Sequence, residues 1–412
     1  RWLVPHFEKM LYDNAQLLPL LALAAQKTGA SLFRRAADKT VNWLLREMRT
    51  DTGAFAASLD ADSLDAAGHA EEGAFYVWTP DEVTKVLGPR AGDFCCAHDI
   101  SAGGNFEGRS IPNRLHVAGP DDPDAGAFDA DYAALAARRA RRPAPERDDK
   151  VLADWNGLMI TGLVRAGQIL KRPDWIAAGE QAFTAVMNHL GSESTLGHAY
   201  RNGRVTTPGF AADHAAMALA ALTLHEATAA PAYLAIAADL AATLWDRYRI
   251  ESGLLAATVA TATDLPLRLA PTADDAMPNV HGLAAETFIR LSAMTGTSHW
   301  LERADDLIDA VSGEVAANAF AHASILNALD LRLRRAEITV AASADHPLSL
   351  AMQTIPYTNR TLLYTVEPSA SPPHLLVCAD GRCSLPLVDL PQAMAEIEKA
   401  VRRERPSQGS AV

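Results

Sequence analysis

Pro5-His6-Phe7-Glu8-Lys9-Met10-Leu11-Tyr12-Asp13 opens one long apolar run, and Asp148-Asp149-Lys150-Val151-Leu152-Ala153-Asp154-Trp155-Asn156-Gly157 opens another. Each sets a dense polar cluster at the head of a helix-periodic segment, and the two together decide the fold. Three further runs repeat the design: Asp213-His214 leads into a run through Leu224, His281 into one through Met294, and His322 into one through Leu333. A helix N-terminus presents unpaired N–H groups and a partial positive charge, which favours carboxylates, substrate oxygens and neutral imidazole. Heads of this kind, gathered at one end of a ring of helices, would line a common cavity.

Working outward, the polar-headed runs span 6–27, 154–170, 212–228, 279–295 and 320–334, and more amphipathic runs at 31–49, 174–190, 231–248 and 298–316 lie between them. The apolar period in both sets is near 3.6. Inner helices of a ring are apolar below their polar mouths, whereas outer helices carry charge on the solvent side, as Arg34, Arg35, Asp38 and Lys39 do. The alternation predicts a mainly α fold, a toroid of helical hairpins over residues 1–335. Its nine helices are three short of six hairpins, and the chain opens on Arg1 inside a helix-entry motif, so the toroid is expected to be incomplete at its N-terminus.

Residues about 50–150 form a motif-rich insertion. Within it, Gly119 to Ala130 and the basic run Arg138 to Arg147 are expected to be mobile, the latter as a solvated face or helix end. From residue 336 to 412 the texture changes to short β-rich runs, Ile338 to Ala342, Thr361 to Val366 and Leu375 to Cys378, followed by a helix from Leu390 to Arg403. A small α/β region in the order strand, helix, strand, strand, helix fits this pattern.

A chain of 412 residues that is 49% hydrophobic and 21% charged can bury one large core or two smaller ones. The formal charge of −13 argues against nucleic acid as a partner, since no basic face is available to displace phosphate counterions. No apolar stretch reaches the roughly 20 residues that cross a bilayer, and no signal-peptide pattern opens the chain, so a cytoplasmic protein is expected. The four cysteines, Cys95, Cys96, Cys378 and Cys383, suit a reducing compartment and are expected to be structural or inert thiols. Neither metal-ligand spacing nor a phosphate loop is present, and no metal or cofactor is expected.

The candidate site residues follow from the heads. His6, Glu8, Asp154, Asp213 and His281 are the candidate catalytic groups, because carboxylates and neutral imidazoles at helix mouths can act as general acids and bases. Asp13, Asp60, Asp62, Asp149 and Lys150 are candidate substrate contacts, with Asn105 and Glu107 of Gly104-Asn105-Phe106-Glu107-Gly108. Trp78 and Trp155 offer aromatic faces on which a sugar ring can stack, and Asn156 and Asp274 complete the set. His214 and His322 belong to the same pattern as His281. Capping by one side chain explains a single polar residue at a helix head, but not several in a row.

Val4 to Asp13, Asp60-Ala61-Asp62-Ser63, Gly73 to Trp78, Gly104 to Gly108 and Asp148 to Met159 are the blocks by which the chain resembles the spermatogenesis-associated protein 20 family of thioredoxin domain-containing proteins. The resemblance implies an (α/α)6 toroid related to six-hairpin glycosidases and N-acylglucosamine 2-epimerases, and a role in carbohydrate chemistry. It also implies a thioredoxin-like domain upstream in the same chain. His214 stands where the family favours tyrosine, and Pro278-Asn279-Val280-His281-Gly282 departs from the family's Pro-Ser-Gly-Asn-Ser block, although Asp274 still matches.

The expected function is therefore proton transfer on a sugar, of epimerase or isomerase type, in the toroid cavity. A glycoside hydrolase is the enzymatic alternative, which needs two carboxyl groups about 5–5.5 Å apart for retention or about 6.5–9.5 Å apart for inversion. A non-catalytic glycan-binding or scaffold module for the thioredoxin-like domain is the third.

Overall fold

The computed structural model describes residues 3–65, 67–116, 126–192, 195–262, 266–365, 372–379 and 381–402. The first hairpin is α1 (Leu11–Thr28) with α2 (Ser31–Trp43), which runs on into a π-helical turn at Leu44–Met48. The insertion carries α3 (Pro80–Leu87), α4 (Ala91–Ala97) and α5 (Asp129–Arg139). The ring then continues as α6 (Ala153–Leu170) with α7 (Pro173–Leu190), α8 (Ala211–Thr228) with α9 (Pro231–Tyr248), α10 (Val280–Thr295) with α11 (Ser298–Ala317), and α12 (Ala323–Arg334).

Inner helices α1, α6, α8, α10 and α12 pack in sequence, each against the next, and each hairpin's outer helix packs behind its inner one. This is the expected hairpin toroid, with the inner and outer roles as the apolar patterns assign them. Between α12 and α1 lies a 380 Å³ chamber lined by Pro19, Leu20 and Leu23 on one side and Asn327, Asp330 and Leu331 on the other. Among the described residues no helix is long and apolar enough to cross a membrane.

Two features set the spacing of the ring. A Cβ at Gly157 would lie 2.7 Å from the carbonyl carbon of Ala216, and one at Gly162 would collide with the Ala15 carbonyl oxygen, so glycine lets α6 approach both neighbours closely. The second feature is an internal repeat. Asp51-Thr52-Gly53-Ala54-Phe55-Ala56-Ala57 follows the first outer helix and Glu251-Ser252-Gly253-Leu254-Leu255-Ala256-Ala257 follows α9. Both loops make the same bonds: Gly53 N–H donates to Thr50 O and Gly253 N–H to Ile250 O, each at 3.0 Å. Their ends then cap the inner helices, Leu11 N–H donating to Ala57 O and Ala211 N–H to Ala257 O, while Ala153 N–H donates to His198 O. The first N–H groups of α1, α6 and α8 are thus met by backbone carbonyls of the preceding loops.

The insertion has its own apolar centre, Trp78, Val83, Phe94 and Leu135 among others. The basic run departs from expectation. Arg142 donates to the carbonyls of Phe75 (2.9 Å) and Val77 (2.8 Å), pairs with Glu82 and lies over the Trp78 ring at 4.1 Å. Arg147 donates to Glu47 O and pairs with Asp149. The run ties the insertion together because guanidinium groups can satisfy several turn carbonyls at once. Residues 119–125 lie outside the described residues.

Beyond α12 a four-stranded sheet runs in the order Arg360–Tyr364, Ala336–Ala341, His374–Ala379, Arg382–Cys383, the first pair parallel and the others antiparallel. Helix α13 (Pro347–Gln353) makes the crossover, and α14 (Leu390–Arg402) follows. Val366 and Arg403, expected ends of a strand and a helix, lie outside the described residues. Cys378 and Cys383, expected as free thiols, form a disulfide, because they are direct register partners across the two closing strands. Cys95 and Cys96 are free.

Candidate functional site

The start of α6 carries Asp154, buried apart from 7% of its surface, and the start of α8 carries Asp213, wholly buried. Between them stands His198, which precedes the strand Ala199–Arg201. Its Nδ1 lies 3.1 Å from both Asp213 oxygens. Those oxygens also accept Phe210 N–H at 2.6 Å and Asp154 N–H at 3.1 Å. Asp213 is therefore a fixed acceptor, and it fixes His198 as the Nδ1–H tautomer, leaving Nε2 with no hydrogen-bond partner among the described residues.

The electrostatics follow from this geometry. Burial pushes the Asp154 carboxyl up to about 7, the Asp213 charge adds to the rise, and His198 opposes it. Burial alone would lower His198, but its hydrogen bond to Asp213 and the charges of Asp213 and Asp154 hold the imidazole above its ordinary value. A carboxyl raised to about 7 beside an imidazole that holds its proton more tightly than usual can pass a proton in either direction. The ligand atoms of Asp154, His198 and Asp213 lie within 4.8 Å of one another, a grouping that could hold a metal ion. Both Asp213 oxygens already accept backbone N–H groups, so the arrangement suits a carboxylate that positions an imidazole.

Trp155, the next residue on α6, is half-buried and meets Tyr12 of α1 edge to face at 4.7 Å. It packs against the apolar cluster of Ala57, Leu152 and Ala199, the last of which follows His198 in the chain. Lys150 pairs with Asp148 at 3.0 Å, and its charge reaches His198. Glu8 pairs with the exposed His6 at 3.4 Å, on the rim of a 360 Å³ hollow that also holds Asp60, Asp148 and Lys150. Asp13 is raised by burial, lowered by His6 and raised again by Glu8. These expected residues are gathered on one face, beside the heads of α1 and α6.

Other expected members are not there. His281 is buried, its Nε2 accepting Leu255 N–H at 2.9 Å and its Nδ1 meeting Asn279 Oδ1 at 2.7 Å. Burial holds its pKa down at about 4. His214 accepts Leu196 N–H in the same way, and Asn156 holds both the N–H and the carbonyl of Phe55. These three side chains are equivalent: each locks the loop behind the preceding outer helix, so none is free for substrate. His322 is buried against Asn318 O. Asp274 spends its carboxylate on Asn279 N–H and Ser324 N–H, tying α10 to α12. Trp78 is a core residue beneath Arg142, with no face for a sugar. Asn105 closes its own turn onto Ile111 and Asp99. Glu107 is exposed in that turn, and Asp62 on a short strand of the insertion. Asp149 is held by Arg147.

His198 is a candidate site residue absent from the sequence expectations, since it heads no helix. The signal for it was the Asn202-Gly203 pair between Ala199-Tyr200-Arg201 and Arg204-Val205-Thr206, which marks a two-residue hairpin. Both turn residues have positive φ, 50° and 78°.

The sequence is 30% identical to human spermatogenesis-associated protein 20 over 355 aligned residues, which covers 76% of this chain and 45% of that protein. The mouse protein of the same name is 29% identical with the same coverage. The chain thus spans about half the length of these relatives. No family model matches the sequence. Among solved structures, a D-mannose isomerase shares 12% identity at a TM-score of 0.46, covering 74% of this chain and 60% of that one. A sugar epimerase from a ruminal bacterium shares 10% identity at a TM-score of 0.40, covering 74% and 76%. Both are loose likenesses of helical arrangement.

Proposed function

The chain belongs to the spermatogenesis-associated protein 20 family, and from its site geometry we propose that it is a carbohydrate-directed protein that transfers a proton on a sugar, as an isomerase or epimerase does. The observation that carries this reading is His198, with Nδ1 anchored by Asp213 and Nε2 open, beside a carboxyl held at about 7. In the proposed step His198 Nε2 takes the proton from the carbon next to an open-chain sugar carbonyl. The protonated Asp154 gives its proton to the carbonyl oxygen, leaving a neutral enediol. To isomerise the sugar, the protonated His198 gives its proton to the former carbonyl carbon while the Asp154 carboxylate takes the hydroxyl proton from the oxygen on the original carbon. To invert it, His198 gives its proton to the opposite face of the original carbon, once the open chain has turned that face toward it, while Asp154 takes back the proton it gave. Trp155 and Tyr12 supply the aromatic surface on which the ring can lie.

Hydrolysis by Asp154 and Asp213 has less support. Their oxygens lie within 4.8 Å, closer than the about 5–5.5 Å of a retaining pair, and Asp213 has no exposed surface from which to reach water or sugar. The thioredoxin-like domain implied by the resemblance remains the proposed neighbour in the full-length protein.

The experiment is proton exchange in deuterated water, followed by NMR, on the full-length protein with a panel of aldoses and ketoses. Exchange at the carbon next to the carbonyl is expected, with His198→Gln about 10²–10⁴-fold slower, the usual worth of a general base. Binding without exchange would replace this reading with that of a glycan-binding module.

A further inference from the structure

Beside the proposed site, Lys150, Arg201 and Arg204 line a 530 Å³ hollow with Ala199, Asn202 and Thr206. The hollow contains three cations and no carboxylate, on a chain whose formal net charge is −13. Arg201 and Arg204 are direct register partners across the hairpin, so two like charges stand opposite each other. Such a pair destabilises a two-stranded ladder unless something neutralises it. Nothing in the protein does: among the described residues neither guanidinium has a hydrogen bond or ion pair, although Glu8, Asp60, Glu146 and Asp148 line the adjoining hollow that shares Lys150 and Arg201. Ala199 follows His198 directly, and the Lys150 charge reaches the imidazole, so the cationic hollow begins where the proton-transfer groups end.

We propose that this hollow holds the anionic group, phosphate or carboxylate, of a monosaccharide whose reacting carbons lie at His198. The assignment rests on the reading of His198 as the proton-transferring base and names the substrate class that reading leaves open. Paired guanidinium forks match the geometry of either anion, and the acid-lined hollow beside them can take sugar hydroxyls.

Calorimetric titration of the full-length protein with glucose 6-phosphate, mannose 6-phosphate, glucuronate and unmodified glucose tests it, together with the Arg201→Glu/Arg204→Glu variant. Both positions are exposed on a hairpin, and Arg201→Gln/Arg204→Gln serves if the charge reversal disturbs the thermal melt. At least one anionic sugar is expected to bind about tenfold or more tightly than glucose, with the preference fading as salt rises and vanishing in the variant. Preference for the two sugar phosphates alone identifies phosphate as the group, and preference for glucuronate alone identifies carboxylate. Equal binding of charged and neutral sugars, or a preference that survives in the variant, overturns the proposal. Proton exchange scored separately on each sugar of the panel, charged and neutral, keeps the two ideas apart. Exchange without anion preference sinks the hollow and spares the base, whereas preference without exchange does the reverse.

Discussion

Asp154 and His281 sit at the starts of inner helices α6 and α10, yet burial moves them in opposite directions, and the sign of each shift sets a pH dependence. Asp154 binds its proton more tightly folded than unfolded, with a pKa near 7 against an ordinary 3.8. The stability this contributes is complete below pH 3.8 and is lost as pH rises through about 7. At about 1.4 kcal/mol per unit, the loss has a ceiling of about 4 kcal/mol. The raised His198 acts with the same sign. Asp154→Asn should therefore flatten the fall in stability between pH 5 and pH 8, read from urea midpoints, and parallel profiles for both proteins would refute the assignment. His281, depressed to about 4, contributes stability that is present above 6.5 and lost as pH falls through about 4. His281→Ala orphans the buried Leu255 N–H, and we expect a loss of about 1–3 kcal/mol from that donor alone, with sugar proton exchange unchanged. A large fall in exchange with stability intact would restore His281 to the site.

At the scale of elements, Gly157 decides how closely α6 and α8 approach. On an open helix face a Gly→Ala change gains up to about 1 kcal/mol, but here the added methyl meets the Ala216 backbone, and we expect a loss of about 1–3 kcal/mol by thermal melting. A stabilised variant would show that the helices are free to separate. The helices themselves were legible because apolar period and polar heads coincide: α6, predicted from 154, begins at Ala153, and α10, predicted from 279, begins at Val280. The role of the heads was only half legible. A histidine at a helix start reads the same whether it faces a cavity or holds a loop, and the choice depends on whether Leu196 or Leu255 presents an N–H to it. The repeat around Gly53 and Gly253 carried that information and passes unnoticed when attention stays on helix periodicity. His198 was hidden for a related reason, since its position is set by a hairpin and its partner Asp213 lies on the next helix.

At the scale of the whole molecule, the sheet is fastened to the toroid by buried charge. Glu226 Oε1 accepts Leu362 N–H at 3.1 Å, and Arg290 donates to Arg360 O at 2.8 Å while pairing with Glu286 at 2.9 Å. Burial alone would raise Glu286, yet Arg165 and Arg290 hold it down at about 2, so its contribution is present above pH 4.5 and lost as pH falls toward 2. Removing one partner of such a buried network costs about 3–5 kcal/mol. Arg290→Met should split a single calorimetric unfolding transition into two, and a single transition at an unchanged temperature would show that the network is dispensable. The central claim concerns the other end of the ring and is tested most directly by NMR titration of the protein with selectively labelled aspartate and histidine. We predict an Asp154 carboxyl midpoint near 7 and a His198 imidazole protonated on Nδ1 with Nε2 bare above its own midpoint. An Asp154 that titrates at its ordinary 3.8, beside a His198 that behaves as free imidazole, would contradict the account.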